Sequence, residues 1–235
     1  MPAVTVPILT ISAPTPRSRL LTVDLGPARF PFLAGQAVML APHGDSGSKP
    51  YSIACSPEHL EATGRLELLI AMDGVSPTGP HWAAPGALVD IEGPLGAFTL
   101  PVPVAQPRLL FVAGGAGIAP LRAMINHALV HYPDRRISIL YSARRADEFA
   151  FIDELREHQR RGRIELHQTV TREERSTWQG RRGRIGRAQF EAVVHEPKST
   201  LCFVCGPPSM VEESVTVLKQ LGVPETLIRT EQWGR

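Results

Sequence analysis

Sixteen of the 22 prolines in this 235-residue chain lie at or before Pro107. Proline lacks an amide hydrogen and clashes inside helices, but it is tolerated in turns and at strand edges. The first half therefore cannot be built from long helices. Its β-rich runs fall at 4–11, 19–25, 37–41, 51–55, 66–72, 88–92 and 98–100, with Gly and Pro clusters between them at short spacing. Such a pattern predicts an antiparallel sandwich or barrel. Charge changes at the same place. Residues 1–107 hold five Lys/Arg against eight Asp/Glu, and the remainder holds 20 against 15.

Beyond Pro107 the pattern alternates. Strands are expected at 108–113, 137–141, 164–170, 201–205 and 227–230, and helices at 119–130, 147–159, 187–194 and 209–221. Alternation of this kind predicts a five-stranded parallel sheet covered by helices. The expected division is a β-barrel domain over 1–105 and an α/β domain over 106–235, joined by a short stiff linker at 101–107.

Composition removes several function classes. A net charge of +2 is too small to argue for nucleic acid. No apolar run approaches the roughly 18 residues of a membrane-spanning helix, and the N-terminus lacks the basic start and apolar core of a secretory signal. Cys55, Cys202 and Cys205 support neither a disulfide framework nor a four-cysteine metal or iron–sulfur site. A reducing, cytoplasmic setting and no metal are expected, and the histidines carry no assigned role. Hydrolase and nucleoside-triphosphatase motifs are absent from the sequence.

The run from Leu109 to Ala113 reads as a buried strand. Gly114, Gly115, Ala116, Gly117, Ile118, Ala119 and Pro120 follow it and lead into a helix. Glycines permit a tight turn and close approach to a pyrophosphate, which a helix N-terminus then faces with free N–H groups. Pro120 suits the first helical turn. A dinucleotide site is expected there, although the spacing is not Gly-x-Gly-x-x-Gly. The next strand ends Tyr141, Ser142, Ala143, Arg144, Arg145, with no acid before Asp147. NAD-selective folds often place an acid at this point. A hydroxyl and two guanidiniums suit a 2′-phosphate instead, so Ser142, Arg144 and Arg145 favour NADPH over NADH.

Three separated motifs, in order, resemble those of the ferredoxin–NADP reductase family. Lys49-Pro50-Tyr51-Ser52 is similar to its Arg-x-Tyr-Ser flavin motif, the 114–120 run to its nicotinamide-nucleotide motif, and Cys205-Gly206-Pro207-Pro208-Ser209-Met210 to its late Cys-Gly-Pro motif. The Thr230-Glu231-Gln232-Trp233 ending is similar to its Glu-x-aromatic terminus. The resemblance implies a barrel that binds FAD or FMN, with NADPH or NADH as substrate, and the flavin motif with a second phosphate turn favours FAD. It implies that Tyr51 stacks on the isoalloxazine ring, that Ser52 reaches its N5, and that Lys49, Pro50 and Ile53 complete the flavin contact. Lys49 departs from the family's arginine and lacks its bidentate fork. Gly74, Val75 and Ser76 sit where the family has a pyrophosphate turn.

The resemblance further implies that Gly114, Gly115, Gly117, Ile118, Ala119, Pro120, Gly206, Pro207 and Met210 hold the nicotinamide nucleotide. Cys205 would then lie near the reacting carbon, with Glu231 and Trp233 closing over the flavin. Ser52, Cys205 and Glu231 are the expected catalytic residues. Electrons would leave to a separate acceptor, an acidic iron–sulfur protein or oxygenase component. Arg172, Arg175, Arg181, Arg182, Arg184 and Arg187 would steer it, or else pair with Glu173, Glu174 and neighbouring acids. A reductase of free flavin and a non-catalytic nucleotide-sensing subunit remain open as alternatives.

Overall fold

The computed structural model describes residues 3–26, 30–72, 82–174 and 177–233. Its first half is an antiparallel sheet of six strands: β1 (Val4–Thr15), β2 (Ser18–Asp24), β3 (Ala37–Pro42), β4 (Lys49–Ser52), β5 (Arg65–Ala71) and β6 (Leu88–Leu95). They lie in the order β4-β3-β6-β1-β2-β5. An antiparallel bridge between Ile53 and Leu68 then joins the two edges, so the sheet closes into the expected barrel. Period-two alternation fills it, with Val6, Ile8, Leu21, Val23, Val38, Leu40, Leu66, Leu68, Val89 and Ile91 all buried in one cluster.

Two local expectations in this half are corrected. Residues 98–100 form no strand. Phe98 and Leu100 instead bury against the other half, with the Phe98 ring edge-on to Phe203 at 5.8 Å. A short helix, α1 (Pro57–Thr63), was not anticipated. The Ser56 hydroxyl caps it by accepting from the His59 amide at 3.3 Å, Pro57 starts it, and Gly64 ends it at φ +70°.

The second half is parallel throughout: β7 (Arg108–Gly114), β8 (Arg136–Ala143), β9 (Glu165–Val170), β10 (Arg181–Arg182), β11 (Thr200–Gly206) and β12 (Ile228–Gln232), in the order β10-β9-β8-β7-β11-β12. The sheet therefore has six strands rather than five. The added strand is two residues long and lies within the basic stretch, where Arg181 pairs with Thr169 and Arg182 with Val170. No hydrophobic period can register in so short an element.

Helices α2 (Ile118–His131), α3 (Ile152–Arg160), α4 (Arg187–Glu191) and α5 (Pro208–Gln220) cover the sheet. The α3 helix starts later than expected because the Ala150 amide is taken by the buried Tyr141 hydroxyl at 3.0 Å and Phe151 stands at φ +58°. Among the described residues no helix is long and apolar enough to cross a membrane.

One core spans both halves. Ala34, Ala54, Leu69, Phe98, Leu100 and Val104 pack in the same cluster as Leu121, Met124, Ile125 and Phe203. The 101–107 segment is accordingly anchored, and Val104 also accepts from Arg135 through its carbonyl at 3.2 Å. On one side of this junction Arg122 of α2 donates to Glu67 at 2.5 Å, to Glu154 at 2.8 Å and to the Ala54 carbonyl at 2.9 Å. The guanidinium also sits 4.3 Å above the Phe151 ring.

Candidate functional site

Another part of the junction is open. Parallel pairing sets Cys205 of β11 against Glu231 of β12, and the thiol contacts the carboxylate at 3.9 Å. Ser52, at the end of β4 on the barrel, lies close enough to the same carboxyl group to favour its charged form. Three residues from two sheets, 26 and 153 or more positions apart in sequence, thus meet where the halves face each other. Burial pushes the Glu231 carboxyl above the usual range, against the pull of Cys205 and Ser52. Burial, with the Glu231 charge beside it, also pushes the Cys205 thiol well up, so the sulfur stays protonated at neutral pH and is a poor nucleophile.

The glycine turn lies next to them. β7 ends at Gly114, a tight 3-10 turn covers Gly115–Gly117, and α2 begins at Ile118. The glycines serve two different purposes. A Cβ at Gly117 would come within 2.3 Å of the Cys205 carbonyl oxygen, and one at Gly206 would lie 3.2 Å from the Gly114 Cα. Those two let the turn lie flat on β11. Gly115 stands at φ +54°, its carbonyl held by the Tyr141 hydroxyl at 3.3 Å, and a Cβ there would meet only the Trp233 indole at 3.5 Å. Ile118, Ala119 and Pro120 are buried behind the turn.

A cleft of about 460 Å³ runs from Trp233 across this turn. Of the residues expected to bind nucleotide, Gly114, Gly115, Ser142, Arg144, Pro207, Met210 and Trp233 line it. Gly117, Ile118, Ala119, Pro120, Cys205 and Gly206 support it from behind, and Arg145 does not line it. Trp233 is fixed by its amide, which donates to the Gly206 carbonyl at 3.2 Å, while its buried Nε1 has no hydrogen-bond partner among the described residues.

The barrel supplies Thr15, Arg17 and Ser18 to the same cleft, from the β1–β2 turn, together with Leu69, Ala71 and Met72. Sequence reasoning missed these. A Thr-Pro-Arg-Ser turn reads as an ordinary hairpin until the sheet order shows which way it faces.

The barrel face of the site is more exposed. Lys49 and Pro50 are solvent-exposed, and Tyr51 and Ser52 are half-buried. Ile53 is fully buried, donates its amide to the Gln36 carbonyl at 2.9 Å and closes the barrel, so its side chain belongs to the core. Gly74, Val75 and Ser76 lie outside the described residues, as does Arg175. The rest of the basic stretch is divided. Arg172 and Arg184 line the cleft. Arg184 pairs with Glu213 at 2.8 Å and Arg187 with Glu191 at 2.7 Å. Arg182 donates to the Glu173 and Trp178 carbonyls.

A family model described as an oxidoreductase NAD-binding domain matches residues 111–216. A ferredoxin–NADP reductase B from Sorangium cellulosum is 32% identical over 217 residues, covering 87% of this chain and 86% of that protein. The chain belongs to the ferredoxin–NADP reductase family. It is accordingly a flavin-dependent NAD(P)H oxidoreductase. Among solved structures, an Amycolatopsis cytochrome P450 reductase superposes with a TM-score of 0.84 at 25% identity, covering 98% of this chain and 70% of that one. A Neisseria gonorrhoeae ferredoxin NADP+ reductase with bound FAD and NADP shares the fold at a TM-score of 0.80, with 20% identity and 98% coverage of both chains.

Proposed function

We propose that this reductase holds FAD on its barrel, takes hydride from NADPH in preference to NADH, and passes electrons to a separate protein acceptor. One observation carries this function. Ser52, Cys205 and Glu231 converge beside Trp233, next to a cleft whose exposed rim carries Arg144 and Arg172. A protected junction for chemistry thus adjoins a cationic rim for recognition. The division of labour follows at residues 1–105 for flavin and 106–235 for the nicotinamide nucleotide.

The residues present fit both groups. Trp233 offers a flat indole against Gly115 and a buried N–H with no partner, as a displaceable cover over a planar ring would. Tyr51, half-buried at the barrel edge, offers a second flat face. Lys49 would meet the flavin phosphates. Bound flavin supplies hydride acceptance and release of single electrons.

The chain supplies position and hydrogen bonds. Ser52 has a hydroxyl that can donate or accept at the ring. Glu231, raised by burial, holds a proton at higher pH than a surface carboxyl and keeps Ser52 oriented. Cys205, buried behind the cleft lining and kept as a thiol, stands beside Glu231 without acting as a nucleophile. Gly115 lets the backbone approach the pyrophosphate. Ser142 and Arg144 face the 2′-phosphate, with Arg145 in support from outside the cleft. The acceptor is an acidic iron–sulfur protein or an oxygenase component, consistent with the redox partnership named for the Amycolatopsis relative.

Chromatography of the flavin released by denaturing the purified protein tests the cofactor assignment. About one FAD per chain is expected. FMN alone contradicts it, and an absence of flavin points to the free-flavin alternative, for which the exposed Lys49 is the relevant feature.

A further inference from the structure

The junction carries a second cluster of ligand-type side chains outside the cleft. His127 and His131 are four residues apart on α2 and so lie on one side of it. Glu58 reaches them from α1 on the barrel. Its Oε1 is 2.7 Å from His127 Nδ1 and 2.8 Å from His131 Nε2. The two ring centroids are 4.5 Å apart, and one ligand atom from each of the three residues lies within 4.8 Å of the others. The second carboxyl oxygen, Oε2, is buried and has no hydrogen-bond partner among the described residues. Glu58 and His127 are half-buried, while the His131 ring is exposed, which leaves a route for entry and room for a water.

We propose that Glu58, His127 and His131 form a binding site for a borderline divalent transition metal such as zinc, which staples the barrel to the nucleotide-binding half. Two imidazoles and one carboxylate suit such an ion better than magnesium or calcium, which favour oxygen-rich sets. Zinc bonds of about 2.0–2.2 Å place tetrahedral ligand atoms roughly 3.3 Å apart. The two carboxylate–imidazole distances need to lengthen by only about half an ångström to match, and one ligand atom from each residue already lies within 4.8 Å of the others. Oε2 is then available as a further donor, and the fourth position opens on the exposed His131 side. Without an ion, both imidazoles crowd one oxygen while the other stays unused. The site shares no residue with the cleft, so its occupancy is separable from the redox reading.

The test uses the intact chain, freed of any purification tag and stripped with EDTA, then titrated with zinc chloride by calorimetry and followed by thermal melting. One zinc per chain is expected, raising Tm by about 5–10 °C at a hundredfold excess over Kd. His131→Ala and Glu58→Gln should each weaken binding by roughly a hundredfold while leaving flavin content unchanged. If Glu58→Gln fails to fold, His131→Ala decides, because that ring is exposed. Absence of stoichiometric binding at micromolar zinc overturns the proposal. So does binding that survives both substitutions, which would put the ion elsewhere and leave the cluster as a carboxylate clamped by two imidazoles.

Discussion

The two faces of the junction between barrel and parallel sheet are built oppositely. On the closed face, Arg122 is surrounded by Glu67, Glu154, the Ala54 carbonyl and the Phe151 ring. On the open face, among the described residues, Glu231 meets a thiol and a hydroxyl, and the buried Trp233 Nε1 has no hydrogen-bond partner. The difference teaches where the molecule places its rigidity. Saturated contacts on one side fix the relative position of the sheets. That fixed geometry allows the other side to remain unsaturated, and therefore able to accept planar ligands when the Trp233 indole moves aside.

The sharpest way to break this comparison is at Arg122. Arg122→Met removes one cation and strands two partly buried carboxylates. Breaking such a network costs about 3–5 kcal/mol, or a Tm loss of roughly 10 °C for a chain this size. Thermal melting checks it, and a loss within the scatter of surface variants would mean the closed face is not the lock. On the open face, Glu231→Gln keeps shape but removes the ionisable group. A fall in kcat of about a hundredfold is expected, at the low end of what positioned proton-handling groups contribute, with the fold intact.

The same variant separates burial from function through pH. Because the folded carboxyl is raised above its unfolded value of about 4.3, its contribution to stability is complete below that value. It is then lost as pH rises through the folded value. Glu231→Gln should therefore flatten this decline in a pH series of melts. An unchanged decline would assign it to another group. The smallest effect is expected at the exposed rim. Arg144→Ala should lower kcat/KM for NADPH about tenfold relative to NADH, toward the weak end for a charged hydrogen bond because water screens it. Equal kcat/KM values for the two nucleotides in the unaltered protein, unmoved by the substitution, would remove the 2′-phosphate assignment.

Much of the parallel half was legible in the sequence, because β7, β8 and β11 are long apolar runs and Gly114–Pro120 punctuates one of them. The β10 strand was invisible, since two arginines hydrogen-bonded at a sheet edge carry no pattern. Helix α1 had readable signals in Ser56, Pro57 and Gly64, but in a proline-rich half they also read as a turn. The 98–100 run was apolar for a reason other than strand formation: it packs across the junction onto Phe203.

The candidate site divides the same way. The motifs named Ser52, Cys205 and Glu231, whose meeting depends on the β11–β12 register and on how the barrel docks. Thr15, Arg17 and Ser18 carried no local signal, because only the closed barrel turns their hairpin toward the cleft. The glycines of the 114–117 turn and Gly206 stand out in the sequence, yet the backbone contact of Gly117 and Gly206 is a packing distance that sequence does not express.

The central claim is that the open face brings a barrel-bound flavin and a nicotinamide together. An anaerobic titration of the purified protein with NADPH, followed by visible absorbance, tests it most directly. The account predicts that the oxidised-flavin band bleaches fully at one equivalent per flavin, and that Glu231→Gln slows the bleaching without shifting the end point. A protein that carries flavin but whose band is unchanged by excess NADPH and NADH would contradict it.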